Sequence, residues 1–580
     1  MHRLTLQSMA ILLLLGMASS ALAGQAGRAP ASRKTWRANA QPASAPDLST
    51  IRGVKLLDKP YAPLMTVVGG GCLGPFTDDQ IKQIAETWSM VNSHGFMINP
   101  SNPAGGMMKL WAGPDCEKDA QGRTNIERIK AINPGFLFSN YRHGSNIEQN
   151  CPNEAAEVET RFPLAISIWN TSTTLTKGIS AQDSTILISR YPKIPKGAPA
   201  FYPFKKSTTQ AEHTKDKNEY VAWIRLGDEI LRVDDLKASD EGIEMQVKRG
   251  IWGTAASAHP AGETVFQSVY IGRSNIGSLL EGGDAALSGT PDTRAPQMGI
   301  RYALMMFDPK YIEWLAEKAK AIFDQNYDIC WLDIATSNYY NNADAYGGSV
   351  EPWNLQKKKV LTPDEYREWQ QIKQDGLYKI FPNKKFWINN VKPGSYFNNG
   401  HERYQLSGEN GHHPVDGGCM EMYVGGAQAR AEKGWRISAA ATQDWVQNNF
   451  GGVAWSKGAD FNNYRLFSYA TYLMAYEPGA KLKFCISEAT GLLSKPQSMF
   501  YLDLGKPLQH FKSIDEAKMA GQNGLYARDF EYAKLFMNVG VSEIGPIALG
   551  KEYIDIQTGQ RISALSIPKG QAKLLALPQE

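Results

Sequence analysis

The sequence is poor in cysteine, in long apolar segments and in net charge, and each shortage excludes a class of protein. Its 580 residues contain 6 cysteines, too few for a small secreted scaffold held together by disulfides. Beyond the amino-terminal leader, no stretch has the ~18 uninterrupted apolar residues of a membrane-spanning helix, so we expect no membrane insertion. The formal net charge of +4 gives no electrostatic case for binding nucleic acid.

Motifs for several common chemistries are also missing. The chain has no GxSxG nucleophile elbow, no P-loop and no GxGxxG after a predicted strand, which argues against serine-hydrolase and nucleotide-binding functions. His412 and His413 are adjacent, but no HExxH or comparable ligand spacing accompanies them. We therefore expect neither a bound metal nor another cofactor.

The amino terminus predicts export. Arg3 gives a weakly basic start, residues 9–18 are apolar, and Ala21-Leu22-Ala23 is a small-residue cleavage signal, as in a secretory signal peptide. We expect cleavage near Ala23 and a secreted or periplasmic protein. Two of the cysteines, Cys330 and Cys485, lie in apolar segments and are predicted to be buried thiols. The candidate disulfide pair, in polar loops, is Cys116 and Cys151.

Predicted strands and helices alternate over most of the chain. Thr77 and Thr362 each begin a predicted helix, the second with proline at its first position. The predicted strands are 65–71, 95–100, 136–144, 303–309, 329–334, 385–390, 419–426, 451–456 and 481–487. These nine candidate segments are close to the eight strands of a (β/α)₈ TIM barrel, and their alternation with helices is typical of that fold.

Two regions depart from this alternation. Residues 171–268 are rich in Thr, Ser, Val and Ile without a convincing helix, which indicates an inserted all-β module. Its string RGxxGTxAxxHxxG, from Arg249 to Gly262, resembles one in small β modules of phage and bacterial surface proteins, and we interpret His259 as structural. After residue 495, short strands separated by turns predict a β-sandwich.

The predicted fold class is therefore α/β: a (β/α)₈ TIM barrel interrupted by an inserted all-β module and followed by a C-terminal β-sandwich. Its segments are a signal peptide (1–23), a flexible lead-in (24–60), a first barrel segment (61–170), the inserted module (171–268), a second barrel segment (269–495) and the sandwich (496–580).

Two carboxylates stand on predicted barrel strands. Asp333 ends an apolar run and shares a strand face with Trp331, while Glu421 shares a face with Cys419 and Tyr423, because side chains alternate along a strand. Active sites of TIM barrels lie at the C-terminal strand ends. Glycoside hydrolysis needs two carboxyl groups, one as nucleophile or base and one as proton donor. We predict that Asp333 and Glu421 are catalytic.

Aromatic and polar side chains near these acids suit a carbohydrate, since rings cover apolar C–H faces and polar groups bind hydroxyls. The predicted substrate-binding residues are Tyr141, Arg142, His143, Trp331, Asn338, Tyr340, Asn390 and Tyr423, and Asn389 also suits this role. We expect Arg142 to line the same mouth as Asp333, where it would keep the carboxylate ionised or bind a hydroxyl. Glu409 and Asp416 are reserve acids.

Several segments resemble bacterial hypothetical, glycoside-hydrolase-like TIM-barrel families. They are YRH after a strand, WLD before a loop rich in Asn and Tyr, FWINN, and a Glu-bearing strand after a glycine-rich loop. The tail, with MNVG, IDIQTGQ and IPKGQAKLL, resembles the β-sandwich that closes many such glycosidases. The resemblance implies that Asp333 is the nucleophile and Glu421 the acid/base, and that the partner is a polysaccharide or oligosaccharide. The inserted module departs from that pattern.

The spacing of the two acids distinguishes two mechanisms. Retaining enzymes hold their carboxyl groups about 5–5.5 Å apart, and inverting enzymes about 6.5–9.5 Å; we expect the retaining spacing. Two other functions remain open, because fold does not determine function. One is a non-catalytic polysaccharide-binding protein on the same scaffold, and the other is a cell-surface assembly protein whose inserted module contacts a partner.

Overall fold

The computed structural model describes most of residues 46–579. The parts not described are 1–45, 70–74, 95–117, 145, 149–165, 169–172, 190–203, 206–219, 240, 268–269, 272–299, 304–306, 334–350, 355–356, 361, 390, 392–400, 422, 425–430, 457–460, 487–491, 494 and 580. The predicted signal peptide, most of the lead-in and the proposed cysteine pair therefore lie outside the described residues.

Within the described residues, eight parallel strands close into a barrel. The strands are β1 (Leu64–Gly69), β2 (Met90–His94), β3 (Leu137–His143), β4 (Ile329–Asp333), β5 (Lys385–Ile388), β6 (Gly417–Glu421), β7 (Gly451–Ser456) and β8 (Leu482–Ile486). The barrel closes where β8 pairs with β1, with Cys485 opposite Met65. The predicted TIM barrel is confirmed.

Several of the described helices begin at side-chain caps. They are α1 (Asp78–Thr87), α2 (Asn125–Ile132), α3 (Pro309–Phe323), α4 (Pro363–Ile380), α5 (His401–Ser407), α6 (Glu432–Gln447) and α7 (Phe461–Ala475). Thr77, Thr124 and Thr362 each form a capping box with the residue three positions later, which satisfies backbone N–H groups that the first helical turn leaves unpaired. None of the described helices is both long and apolar enough to cross a bilayer.

Two predicted strands differ from the structure. Helix α1 ends at Thr87, Trp88 is extended, and its buried indole N–H donates to the carbonyl of Leu492 at 2.9 Å. The second strand therefore begins at Met90, earlier than the predicted 95–100, which lies outside the described residues. The predicted fourth strand, 303–309, lies partly outside the described residues, and its described residues are not in the barrel. The strand found there, Ile300–Ala303, pairs antiparallel with Tyr270–Ile271 and Asn146–Glu148, and β4 takes its place.

Side chains alternate between the barrel interior and the surrounding helices. One apolar cluster fills the interior: Met65, Met90, Tyr141, Ile329, Trp331, Trp387, Cys419, Val453, Trp455 and Cys485. Neighbouring positions on the same strands, such as Cys330 and Leu332, instead belong to the cluster that includes the helices. Cys330 and Cys485 are both buried and neither forms a disulfide within the described residues, in line with the prediction of buried thiols.

Glycine pairs in β6 and β7 let large rings approach the barrel from both sides. A Cβ added at Gly417 would lie 2.7 Å from the indole nitrogen of interior Trp387. A Cβ added at Gly452, on the opposite face, would overlap the ring of Trp445 on α6 and lie 2.7 Å from the carbonyl oxygen of Gly418. These glycines are therefore required by packing.

We expect Gly452→Ala to lower the free energy of unfolding by about 3 kcal/mol or more, because neither the Trp445 ring nor the β6 backbone can move aside without disturbing the barrel. Urea unfolding followed by tryptophan fluorescence measures this loss. Gly135→Ala is the matched control, since its Cβ would meet Asn133 Oδ1 at 3.5 Å, an ordinary contact, and should change stability by less than about 0.5 kcal/mol. Equal effects of the two substitutions would contradict this packing argument.

The inserted module is an antiparallel sheet between β3 and β4. Its strands, in sheet order, are Thr173–Thr174, Thr264–Gln267, Tyr220–Leu226, Glu229–Ser239, Gly242–Lys248 and Thr185–Ile188, and Phe204–Lys205 also pairs with Tyr220–Leu226. The module has its own apolar core. Two isoleucines, Ile230 and Ile251, instead join the cluster around the barrel, and Lys358 Nζ lies 2.6 Å from Asp228 Oδ2 at the module's hairpin turn. Beside the module, Glu351–Asn354 pairs with Ile166–Ile168 and Lys359–Val360.

The module's sequence string builds a buried ionic network. Arg249 donates to both oxygens of Glu229 at 2.7 and 2.6 Å, and His259 Nε2 lies 2.9 Å from Glu229 Oε2. Burial alone would raise the pKa of Glu229, but these hydrogen bonds lower it below its ordinary value. The network joins the start of the strand Glu229–Ser239 to the segment that follows the strand Gly242–Lys248, which fits the structural interpretation of His259.

The C-terminal β-sandwich contains one five-stranded antiparallel sheet. Its strands are Leu525–Asp529, Ala533–Asn538, Ile544–Asp555, Arg561–Ile567 and Gln571–Ala576. Leu535, Met537 and Leu574 belong to the apolar cluster that includes α7, while Leu525, Phe536 and Leu575 form a second cluster with Ile567. One face of the sheet therefore packs on the barrel, and the other encloses the domain's own core.

Candidate active site

Asp333 lies at the C-terminal end of β4 and faces the barrel interior. Because side chains alternate, Asp333 is on the same face as Ile329 and Trp331, which are members of the interior cluster. Asp333 is 6% exposed, and in the strand register it pairs with His143 of β3. The predicted sharing of a face by Trp331 and Asp333 is therefore found, at the end of the barrel where active sites form.

Glu421 ends β6 in the same way. It follows interior Cys419 by two residues and stands opposite Trp455 of β7. Between these two strands lies β5, and Asn389 immediately follows it. Asn389 is 1% exposed, and its backbone N–H donates to the carbonyl of Leu332 at 2.8 Å, so it continues the β4–β5 ladder by one residue.

One amide group joins the two acids. Asn389 Nδ2 donates to Asp333 Oδ1 at 2.8 Å and to Glu421 Oε2 at 2.8 Å. Because the amide carries two hydrogens, each carboxylate can receive one. The two acceptor oxygens cannot be more than 5.6 Å apart, twice the hydrogen-bond length. A planar NH₂ group with hydrogens about 120° apart places them about 4.8 Å apart.

The carbonyl oxygen of the same amide has a different environment. Asn389 Oδ1 is buried and accepts no hydrogen bond from the described residues. A buried carbonyl oxygen without a donor is costly, and next to two carboxylates it offers an acceptor for the hydroxyl of a ligand. The sequence points to this residue through strand alternation, since Trp387 and Asn389 occupy the same face of one strand.

Three tryptophans form the floor beneath the acids. The ring centroid of Trp331 is 5.8 Å from that of Trp387 and 6.3 Å from that of Trp455. All three residues are at most 3% exposed. Trp331 therefore closes the interior below Asp333 and does not present a surface to a substrate, contrary to the prediction. Tyr141, 9% exposed, also belongs to this interior cluster.

Two further predicted substrate-binding residues face away from the mouth. Arg142 follows interior Tyr141, so it points outward, and its guanidinium carbon lies 5.2 Å from the centroid of Trp314 on α3. Tyr423 does not continue the face of Glu421, because β6 ends at Glu421 and Val424 takes a φ of 51°. The Tyr423 hydroxyl instead lies 2.9 Å from Thr442 Oγ1 on α6.

Asp416, one of the reserve acids, lies at the opposite end of the barrel. It precedes β6, about 16 Å along an extended chain from Glu421 at 3.3 Å per residue. Asp416 accepts hydrogen bonds from the Tyr378 hydroxyl and, at 3.0 Å, from the backbone N–H of Phe386. It cannot replace Glu421 as proton donor.

The neighbouring histidines pack on α4. His412 Nδ1 is 2.7 Å from Asp375 Oδ2, and the His413 ring stacks on Tyr378 with centroids 3.8 Å apart. Among the described residues, no group of three or more His, Cys, Asp or Glu side chains is placed to hold a metal ion. Asn338, Tyr340 and Asn390 lie outside the described residues, and the description of His143 and Glu409 covers the backbone only.

The comparisons with known proteins do not identify a family for this chain. No protein-family model and no curated protein matches the chain. Among solved structures, Amy13B of Eubacterium rectale is similar at 9% sequence identity and a TM-score of 0.35, with 93% of this chain and 100% of that chain covered. A TM-score of this size carries no argument about activity.

Proposed function

We propose that the protein is a secreted glycoside hydrolase that cleaves a polysaccharide or oligosaccharide with retention of configuration. The observation that carries the proposal is the Asn389 amide shared by Asp333 and Glu421 at the C-terminal ends of two barrel strands. Most glycosidases catalyse hydrolysis with a pair of Asp or Glu side chains, and active sites of TIM barrels lie at the C-terminal strand ends. The signal peptide predicted at residues 1–23 supports export, and the proposed reaction needs no cofactor.

The spacing of the acids favours attack on the anomeric carbon by a carboxylate over attack by a water that a carboxylate activates. With acceptor oxygens at most 5.6 Å apart, the pair fits the roughly 5–5.5 Å of retaining enzymes better than the roughly 6.5–9.5 Å of inverting enzymes, which must seat a water between base and sugar. Asn389 donates one N–H hydrogen to an oxygen of each acid, which holds the two side chains at this spacing.

The reaction then takes two steps. An oxygen of Asp333 bonds to the anomeric carbon as the glycosidic C–O bond breaks, and Glu421 gives its proton to the departing oxygen. Glu421, now a carboxylate, accepts a proton from water, whose oxygen attacks the anomeric carbon and releases Asp333. The assignment of Asp333 as nucleophile follows the sequence resemblance.

Release of reducing ends from a panel of polysaccharides and oligosaccharides tests the proposal. We expect the wild-type protein to release reducing ends from at least one member of the panel. Asp333→Asn should still bind that glycan without cleaving it. Glycan binding by the wild type with no cleavage of any member would favour the non-catalytic polysaccharide-binding protein instead.

Asn389→Ala should lower kcat by about 10²-fold or more, since a hydrogen bond to a charged group is worth about 1.5–3 kcal/mol and about 1.4 kcal/mol corresponds to a factor of ten. Both carboxylates lose a donor in this variant. Steady-state kinetics on the substrate found above measures the effect. Asn383→Ala, in the exposed turn before β5, is the control and should retain wild-type kcat. An unchanged kcat in Asn389→Ala would show that the shared amide does not organise the pair.

A further inference from the structure

Lys373 is a buried lysine that the proposed reaction does not use. It lies on α4, is 2% exposed, and burial lowers its pKa to about 7. A lysine is rarely buried to this extent without a task for its ammonium group. Its Nζ donates to the carbonyl oxygen of Gly144 at 2.8 Å and also to Gln370 Oε1.

Gly144 connects this lysine to the nucleophile. It immediately follows β3, and its N–H donates to the backbone carbonyl of Asp333 at 2.9 Å. Its own carbonyl oxygen receives two donors, Lys373 Nζ and, at 2.7 Å, the hydroxyl of Tyr311 on α3. Side chains from two different helices therefore converge on one peptide group that is hydrogen-bonded to Asp333.

The Asp333 backbone is fixed on its other side as well. On β5, the N–H of Asn389 donates to the carbonyl of Leu332, so the end of β4 is held between Asn389 and Gly144. β4 ends at Asp333, and on the β3 side the Gly144 N–H donates to the carbonyl of Asp333. A shift of about 1 Å at a reacting group costs on the order of 10²-fold in rate.

We infer that Lys373 and Tyr311 are positioning residues that set the location of the Asp333 carboxylate by holding Gly144; this rests on the proposed glycosidase function. Neither side chain is expected to touch the substrate. Loss of either donor loosens Gly144, and loss of both leaves a buried carbonyl oxygen without its two donors from the helices, so the end of β4 can move away from Asn389 and Glu421.

Kinetics of Lys373→Met, Tyr311→Phe and the double variant tests this inference. We expect each single variant to lower kcat about tenfold with little change in KM, and the double variant to lose more than the product of the two, because the donors share one acceptor. Tyr311→Phe keeps the ring and its packing, so it reports on the hydrogen bond even where Lys373→Met folds poorly. Lys483→Met is the matched control. It is a buried lysine of β8, 9% exposed, whose Nζ donates to the carbonyl of Lys481, and its removal should leave kcat unchanged.

Hydrogen exchange gives a readout that does not depend on activity. The double variant should lose protection of the Gly144 amide, while Lys483→Met should keep it. Wild-type kcat and an unchanged Gly144 amide in the folded Tyr311→Phe and double variants would overturn the inference. A wild-type protein that cleaves no glycan would instead overturn the proposed function, and the exchange result would still show whether the two side chains hold the end of β4.

Discussion

Asp333→Asn should lower kcat by about 10⁴-fold or more, whereas the effect of Glu421→Gln should depend on the leaving group. An amide at position 333 cannot form the covalent intermediate, so no leaving group can restore the reaction, and losses of this order follow removal of one member of a catalytic group. Glu421 acts through proton transfer alone, as acid in the first step and base in the second, and its acid role is worth about 10²–10⁴-fold for a poor leaving group. Both variants keep the size of the side chain and should fold.

The measurement is kcat/KM on two substrates with the same sugar, one with an alcohol and one with a nitrophenolate leaving group. Nitrophenolate departs without protonation, so Glu421→Gln should retain formation of the covalent intermediate on that substrate and release a burst of nitrophenol. Asp333→Asn should give no burst on either substrate. Equal losses in both variants on both substrates would contradict the division of roles between the two acids.

Arg528→Met should destabilise the protein by about 3–5 kcal/mol, because it removes a buried cation that joins the C-terminal sheet to the barrel. Arg528 is 1% exposed. Its guanidinium donates to three carbonyls at the end of α7, those of Leu473, Met474 and Tyr476, and also to Glu477 Oε1 and the carbonyl of Gln509. A cation at a helix C-terminus also complements the helix dipole.

Urea unfolding of Arg528→Met measures this loss of stability. Arg561→Met, a substitution in the same C-terminal sheet, is the control. Arg561 pairs with Glu552 at 2.8 Å, but the two side chains are 48% and 53% exposed, and exposed pairs contribute about 0–1 kcal/mol. We expect the Arg561 variant to unfold almost as the wild type does. Similar midpoints for both variants would show that Arg528 does not secure the sheet to the barrel.

The fold was predictable where local pattern and tertiary structure agree. The apolar run before Asp333 and the capped helix from Pro363 are found in the structure because burial and capping act over a few residues. The strand at Ile300–Ala303 shows the limit of this reasoning. The sequence predicts a barrel strand at 303–309, whereas the strand found, Ile300–Ala303, pairs with Tyr270–Ile271 and Asn146–Glu148, and pairing across such distances leaves no local pattern.

The candidate site was predictable where strand alternation applies. The sequence places Asp333 above Trp331 correctly, and the same rule excludes Arg142, since the adjacent residues Tyr141 and Arg142 cannot share a face. The prediction that Tyr423 shares a face with Glu421 is wrong for a different reason, because the strand ends at Glu421 and the backbone turns at Val424. Where a strand ends depends on tertiary contacts.

The hydrogen-bond network around the acids comes from long-range contacts. Asn389 is 56 residues from Asp333 and 32 from Glu421 in sequence, and Lys373 reaches Gly144 across 229 residues. A sequence identifies amides and lysines but does not show which carbonyl or carboxylate each one meets. The closed barrel brings these groups together, because consecutive strands place their ends at one mouth.

The configuration of the first product tests the central claim most directly. Proton NMR of a reaction on a substrate of single anomeric configuration, recorded before mutarotation equilibrates the product, shows which anomer is released. Asp333 and Glu421 oxygens no more than 5.6 Å apart predict that the first product keeps the configuration of the substrate. Release of the opposite anomer would contradict the account, because single displacement places a water between base and sugar and needs a wider spacing of the carboxyl groups, roughly 6.5–9.5 Å.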